Sequence, residues 1–122
     1  MKDNLHHLKS AVISAGKEMK HRGLTIETWG NISVRDPKTG LICVTPSGMS
    51  YDNLEEEDIV VLDAQGNVYE GSRVPSVEKM MHVLIYREKP DVNAIIHTHP
   101  LDSMVFAVIR RDIPVICDEM AQ

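Results

Sequence analysis

The sequence predicts a layered α/β domain, a mainly antiparallel central sheet covered by helices. Three observations lead there. Two pairs of short β-prone runs are each joined by a turn that contains Gly, and such hairpins build antiparallel sheet. Two longer stretches repeat apolar residues at steps of three and four, the period of a helix with one buried face. The chain has 122 residues, 43% hydrophobic and 25% charged, the size and balance of one ordinary domain with a modest core. Helices with a single apolar face must bury it, and the sheet is the surface available.

The first helix covers residues 3 to 22. Leu5, Leu8, Val12, Ala15 and Met19 mark its inner face, and Gly23 is its stop. His6 and His7 fall on this helix and read as part of its solvated side. "NISVRD" and "LICVT", joined by "PKTG", form the first hairpin. "TPSGMSYDN" has the composition of a loop. The acidic run Glu55-Glu56-Glu57-Asp58 reads as a solvated turn or a helix start. "DIVVLD" and "NVYEG" flank "AQGN" as a second hairpin.

A second helix runs from Ser76 to Lys89, with Val77, Met80, Met81, Leu84 and Ile85 on its apolar face. Ser76, after Pro75, is its expected N-cap, and Pro90 forces its exit. "VNAIIHTH" reads as a strand, residues 101 to about 110 as a third helix, and "PVIC" as a last strand. No repeat, low-complexity stretch or linker divides the chain, so residues 1–122 are expected to form a single domain.

Net charge is −5 and the basic residues are dispersed, so nothing points to nucleic acid. The N-terminal "MKDNLHHLKS" is too polar for a signal peptide, and no apolar run approaches a membrane span. A cytoplasmic protein without a membrane partner is expected. Cys43 and Cys117 are far apart, fit no metal spacing and lie in strand-like runs, so both read as buried reduced thiols.

His97 and His99 are the first candidates for chemistry. Alternate side chains of a strand share a face. At the strand rise their Cβ atoms would lie about 7 Å apart, close enough for two imidazoles to converge on one ion. Pro100 keeps His99 extended. From spacing alone two readings stay open, a metal pair or two histidines on a half-exposed strand face. Glu78 falls in the first turn of the second helix, where the macrodipole favours a carboxylate. His82 is four residues on, so a plain surface Glu–His pair competes with a carboxylate base beside a metal. The loops "WGN" and "TPSG" and the helix start at Ser76 offer main-chain amides to an anion, though each alone is weak.

Together these pieces stand in one order: "GNIS" at 30–33, "TPSG" at 45–48 followed by Tyr51, "PSVE" at 75–78 with His82, and "HTHP" at 97–100. In that order and spacing the chain resembles the class II aldolase/adducin family, and within it the L-fuculose-phosphate-aldolase-like members, over almost its whole length. The resemblance implies a three-layer fold, a homotetramer and a catalytic zinc at a subunit interface. It implies His97 and His99 as zinc ligands and Glu78 as the catalytic acid/base. It also implies that Gly30, Asn31, Ser47, Gly48 and Ser76 line the pocket for the substrate phosphate. The implied reaction is aldol cleavage of a ketose 1-phosphate to dihydroxyacetone phosphate and an aldehyde. Zinc would serve as Lewis acid, the carboxylate would move a proton at carbon, and the phosphate would supply remote binding energy.

The chain departs from the family pattern at several points. Val77 stands where a second serine is common. No histidine follows His99 to supply a third zinc ligand, and the C-terminal tyrosine of the aldolases is missing. Family members continue beyond the position of Gln122. The expectation is therefore the N-terminal portion of such a domain, incomplete at its C-terminus, with Glu78 as the one third ligand the residues suggest. Thr45 before "PSG" and Glu78 resemble the aldolase branch, since the 4-epimerases carry Lys and Asp there. An aldolase for a deoxyketose or thioribulose 1-phosphate is the expected activity. Two further readings are a non-catalytic binding or oligomerisation fragment with an incomplete metal site, and a pentulose 5-phosphate 4-epimerase.

Overall fold

A computed structural model of the chain describes residues 2–120. Helix α1 (Lys2–His21) is followed by strands β1 (Asn31–Arg35), β2 (Ile42–Val44), β3 (Val60–Leu62) and β4 (Val68–Glu70). Helix α2 (Lys79–Glu88), strand β5 (Ala94–His97) and helix α3 (Leu101–Val108) complete the order. The sheet runs β4-β3-β2-β1-β5, and every neighbouring pair is antiparallel.

Alternation along the strands explains the layers. Cys43 of β2 pairs with Val61 of β3. Both face α1, where they pack with Ile32, Leu5, Val12 and Met19. Ile42, Val44, Val60 and Leu62 point the other way and pack with Val83 and Tyr86 of α2. β2 and β3 are apolar without interruption because helices cover both faces. The result is helix, sheet, helix in three layers, as expected.

α1 ends where Gly23 turns left-handed (φ 68°). The Gly23 amide donates to the Lys20 carbonyl at 3.0 Å and the Leu24 amide to the Met19 carbonyl at 3.0 Å, a Schellman stop. Both hairpins form as expected. The acidic run becomes a 3-10 turn over Glu56–Asp58, closed by a reciprocal capping box between Glu55 and Asp58.

Five expectations are corrected. α2 begins at Lys79, three residues after Ser76, because a short antiparallel bridge joins Pro46 to Pro75 and holds Ser76 against the 45–47 segment. The stripe Val77, Met80, Leu84 faces outward, with Val77 85% exposed. α2 instead buries His82, Val83 and Tyr86. That rotation lets His82 and Tyr86 reach Ser33 of β1, a buried hydroxyl that needs partners. β5 stops at His97, opposite Asn31, the first residue of β1. "PVIC" forms no strand, since no ladder partner reaches it among the described residues, and Cys117 is exposed there. Cys43 is buried and free, and burial pushes its thiol up to about 11. Among the described residues, no helix is long and apolar enough to cross a membrane.

Candidate active site

The site forms where β5 ends beside the start of β1. His97 is the last residue of β5. Two residues on, the His99 amide donates to the Leu24 carbonyl at 2.9 Å, which fixes the chain as it leaves the sheet. The two imidazoles converge as their period-2 spacing predicts, with ring centroids 4.7 Å apart. Trp29 meets His99 edge-on at 5.7 Å.

Gly30 makes the close approach possible. Its φ is +72°, and a Cβ there would lie 2.5 Å from the His97 carbonyl oxygen. The loop before β1 is held from below. The buried Tyr51 hydroxyl donates to the Gly30 carbonyl at 2.7 Å, with the Trp29 carbonyl at 3.0 Å. Burial pushes the Tyr51 phenol up to about 12, so it stays a donor.

Glu78 comes from the other side, just before α2. Its Oε2 accepts from Asn31 Nδ2 at 2.6 Å and lies 3.0 Å from His97 Nδ1. The Asn31 bond, followed by the charges of His97 and His99, holds the Glu78 carboxyl below the usual carboxylate range. Candidate ligand atoms of Glu78, His97 and His99 all fall within 4.8 Å of one another. His97 Nδ1 faces Glu78 without the direction of a hydrogen bond. Among the described residues, that nitrogen and both ring nitrogens of His99 are buried with no hydrogen-bond partner. Buried polar atoms left unpaired are costly, and two imidazoles with a carboxylate are a donor set that zinc takes in catalytic sites. The three residues fit a metal ion.

A cavity of about 430 Å³ opens beside them, with Glu78 and His99 on its wall. Gly30, Asn31, Ser47, Gly48 and Ser76, the residues expected around a phosphate, line the same cavity. The Pro46–Pro75 bridge brings the two loops together. The Ser47 amide donates to the Val74 carbonyl at 2.9 Å and the Ser76 amide to the Thr45 carbonyl at 3.1 Å. The helix-start reading of Ser76 changes accordingly. Its hydroxyl accepts from the Glu78 amide at 3.2 Å and its carbonyl from the Lys79 amide at 3.0 Å, so these first amides are engaged. The Ser76 hydroxyl hydrogen remains available as a donor. Asn31 is largely committed to protein partners, its Oδ1 to His82 and one Nδ2 hydrogen to Glu78.

His82 is not the surface partner of Glu78 that its spacing suggests. It is fully buried behind Asn31. Burial, then the nearby charge of His97, brings its pKa down to about 4, so it is neutral at pH 7. Trp29, Pro46 and Met104 also line the cavity, and sequence reasoning does not single them out. The one tryptophan of the chain, beside "GN", is the available signal.

A sequence model of the family described as Class II Aldolase and Adducin N-terminal domain matches residues 10–122. A 5-deoxy-D-ribulose 1-phosphate aldolase of Bacillus thuringiensis serovar kurstaki is 38% identical over 108 residues, covering 88% of this chain and 51% of that relative. A solved L-fuculose 1-phosphate aldolase superposes with a TM-score of 0.84 at 41% identity, covering 89% of this chain and 51% of the other. The L-fuculose-1-phosphate aldolase from Thermus Thermophilus does so with a TM-score of 0.68 at 32% identity, covering 83% of this chain and 50% of the other. The chain thus spans about half the length of the curated relatives it matches.

Proposed function

Because the chain belongs to the family of class II aldolase and adducin N-terminal domains, we propose that it carries the reacting half of a zinc-dependent aldolase. The substrate is a ketose 1-phosphate of the deoxyketose or thioribulose type, cleaved to dihydroxyacetone phosphate and an aldehyde. The observation that carries this reading is the convergence of Glu78, His97 and His99 beside a cavity lined by Ser47, Gly48 and Ser76. The 5-deoxy-D-ribulose 1-phosphate aldolase among the relatives supports the choice of substrate class.

In this reading His97 and His99 hold the zinc, with Glu78 within reach as a third donor. When bound, the ion supplies Lewis-acid stabilisation of the negative charge that cleavage leaves on substrate oxygens. Glu78, a carboxylate at neutral pH, carries the proton to and from the reacting carbon. Ser47, Gly48, Ser76, Gly30 and Asn31 hold the phosphate, away from the bond that breaks. The Ser76 hydroxyl is the clearest side-chain donor among them. Trp29 and Met104 supply apolar wall to the same cavity. The full-length protein is read as a cytoplasmic homotetramer.

A coupled assay for dihydroxyacetone phosphate, run on ketose 1-phosphates with zinc present, tests this. Release that disappears in Glu78→Ala supports the aldolase. Epimer formation without carbon–carbon cleavage identifies a 4-epimerase instead. A folded chain that does neither is a binding or oligomerisation module.

A further inference from the structure

Behind the cavity, β1 and α2 enclose four buried polar side chains, Asn31, Ser33, His82 and Tyr86. Each touches the next. Asn31 Oδ1 meets His82 Nε2, His82 Nδ1 lies 2.7 Å from Ser33 Oγ, and Ser33 Oγ lies 2.7 Å from the Tyr86 hydroxyl. At the near end Asn31 Nδ2 donates to Glu78 Oε2 at 2.6 Å. His82, Ser33 and Tyr86 are absent from the cavity wall. The hydrogen-bonded route from them to the site runs through Asn31.

The direction of every bond in this row follows from its near end. An ionised carboxylate only accepts, so the Asn31 amide must turn its nitrogen to Glu78. Its oxygen then faces His82, which must donate from Nε2. A neutral imidazole has one N–H, so Nδ1 is bare and must accept from the Ser33 hydroxyl. Ser33 has then used its hydrogen, and Tyr86 donates to it. The burial that keeps His82 neutral supports this order. Every contact in the row then pairs one donor with one acceptor, and reversing any one member would set two donors or two acceptors face to face.

We propose that His82 is a positioning residue: as the Nε2–H tautomer, held from behind by Ser33 and Tyr86, it fixes the Asn31 amide and through it aims the Glu78 carboxylate at the cavity. This rests on the reading of Glu78 as the proton carrier of an aldolase site. Glu78 lies outside the first turn of α2 and lacks a side-chain cap bond of its own, so Asn31 is its principal tether. A carboxylate that moves a proton at carbon works only from a narrow range of positions. Loss of the tether is therefore felt in the chemical step.

Two measurements test the proposal, one without substrate. In the metal-free chain carrying ¹⁵N-labelled histidine, long-range ¹H–¹⁵N spectra at pH 7 should give His82 with Nε2 protonated and Nδ1 bare. Glu78→Ala should release the amide and let an Nδ1–H population appear. An Nδ1–H His82 in the wild type, or a tautomer that ignores the loss of Glu78, overturns the relay. In the kinetic arm, His82→Gln should lower kcat for ketose 1-phosphate cleavage about 10- to 100-fold while KM stays within about twofold. Where His82→Gln does not fold, Ser33→Ala removes the donor to Nδ1 and should lower kcat about tenfold. Reduced melting temperature with kcat unchanged makes the row purely structural and also overturns the proposal. If the wild type cleaves no ketose phosphate, the aldolase reading fails, and the tautomer spectra alone decide the relay.

Discussion

Gly30 concentrates the demands of the site in one position. It needs a left-handed φ, and any Cβ on it would run into the His97 carbonyl oxygen. Gly30→Ala should cost more than the ~1–2 kcal/mol of the backbone conformation alone, because a real Cβ must also displace the end of β5. Chemical denaturation gives the loss. Zinc titration should show weaker binding, since His97 moves with its carbonyl. Stability close to the wild type would contradict this placement of the strand.

His82 supplies a second test at the same scale. Its folded pKa, about 4, lies below the unfolded 6.5. Between those values the unfolded chain binds a proton that the folded chain does not, so stability is lost as pH falls through that window. The loss should reach about 3 kcal/mol at most, and His82→Gln should lack it. Urea unfolding of both chains from pH 7 to pH 4 compares the slopes, and parallel slopes would contradict the buried neutral state. The pairing of His97 with His99 was legible because a two-residue period needs no knowledge of the rest of the fold. His82 was misread because its spacing from Glu78 suits a helix surface equally well, and only the rotation of α2 decides which face is covered.

At the scale of elements, α1 shows what periodicity captures. Leu5, Val12 and Met19 are buried as their steps predict. Gly16 lies on the same face for a reason the pattern hides. A Cβ there would sit 2.6 Å from Cδ1 of Tyr51, the residue that supports the Gly30 loop. Helix propensity alone would make Gly16→Ala stabilising by about 1 kcal/mol. Contact with the ring should reverse the sign and cost about 1–3 kcal/mol. A double-mutant cycle with Tyr51→Ala should recover most of that loss, and an additive cycle would contradict the contact. α2 fails the same periodic reading. Its apolar stripe is real, but β1 presents Asn31 and Ser33, and polar satisfaction turns His82 and Tyr86 inward instead.

At the scale of the whole molecule, the hairpins and helices were legible from local pattern, and so was the layered class. The strand order was not. β5 joins β1 across the intervening hairpins, a long-range pairing that no local signal records. The last strand failed for the same reason, since a β-prone run becomes a strand only where a ladder reaches it. Exposed apolar side chains also show at this scale. Val77 and Leu84, and Leu101, Val105 and Val108 of α3, are all exposed. The proposed homo-oligomer would give such side chains a surface to pack against. Sedimentation velocity should show species larger than a 13.7 kDa monomer, and a clean monomer at all concentrations would contradict it.

Glu78, His97 and His99 are proposed to form one metal centre. Its most direct test is the zinc content of the purified 122-residue chain after equilibration and desalting, beside His97→Ala and His99→Ala. Near-stoichiometric zinc in the wild type and its loss in both variants, with folding intact by circular dichroism, is the expected result. A wild type that retains no zinc, or variants that retain as much as the wild type, would contradict it.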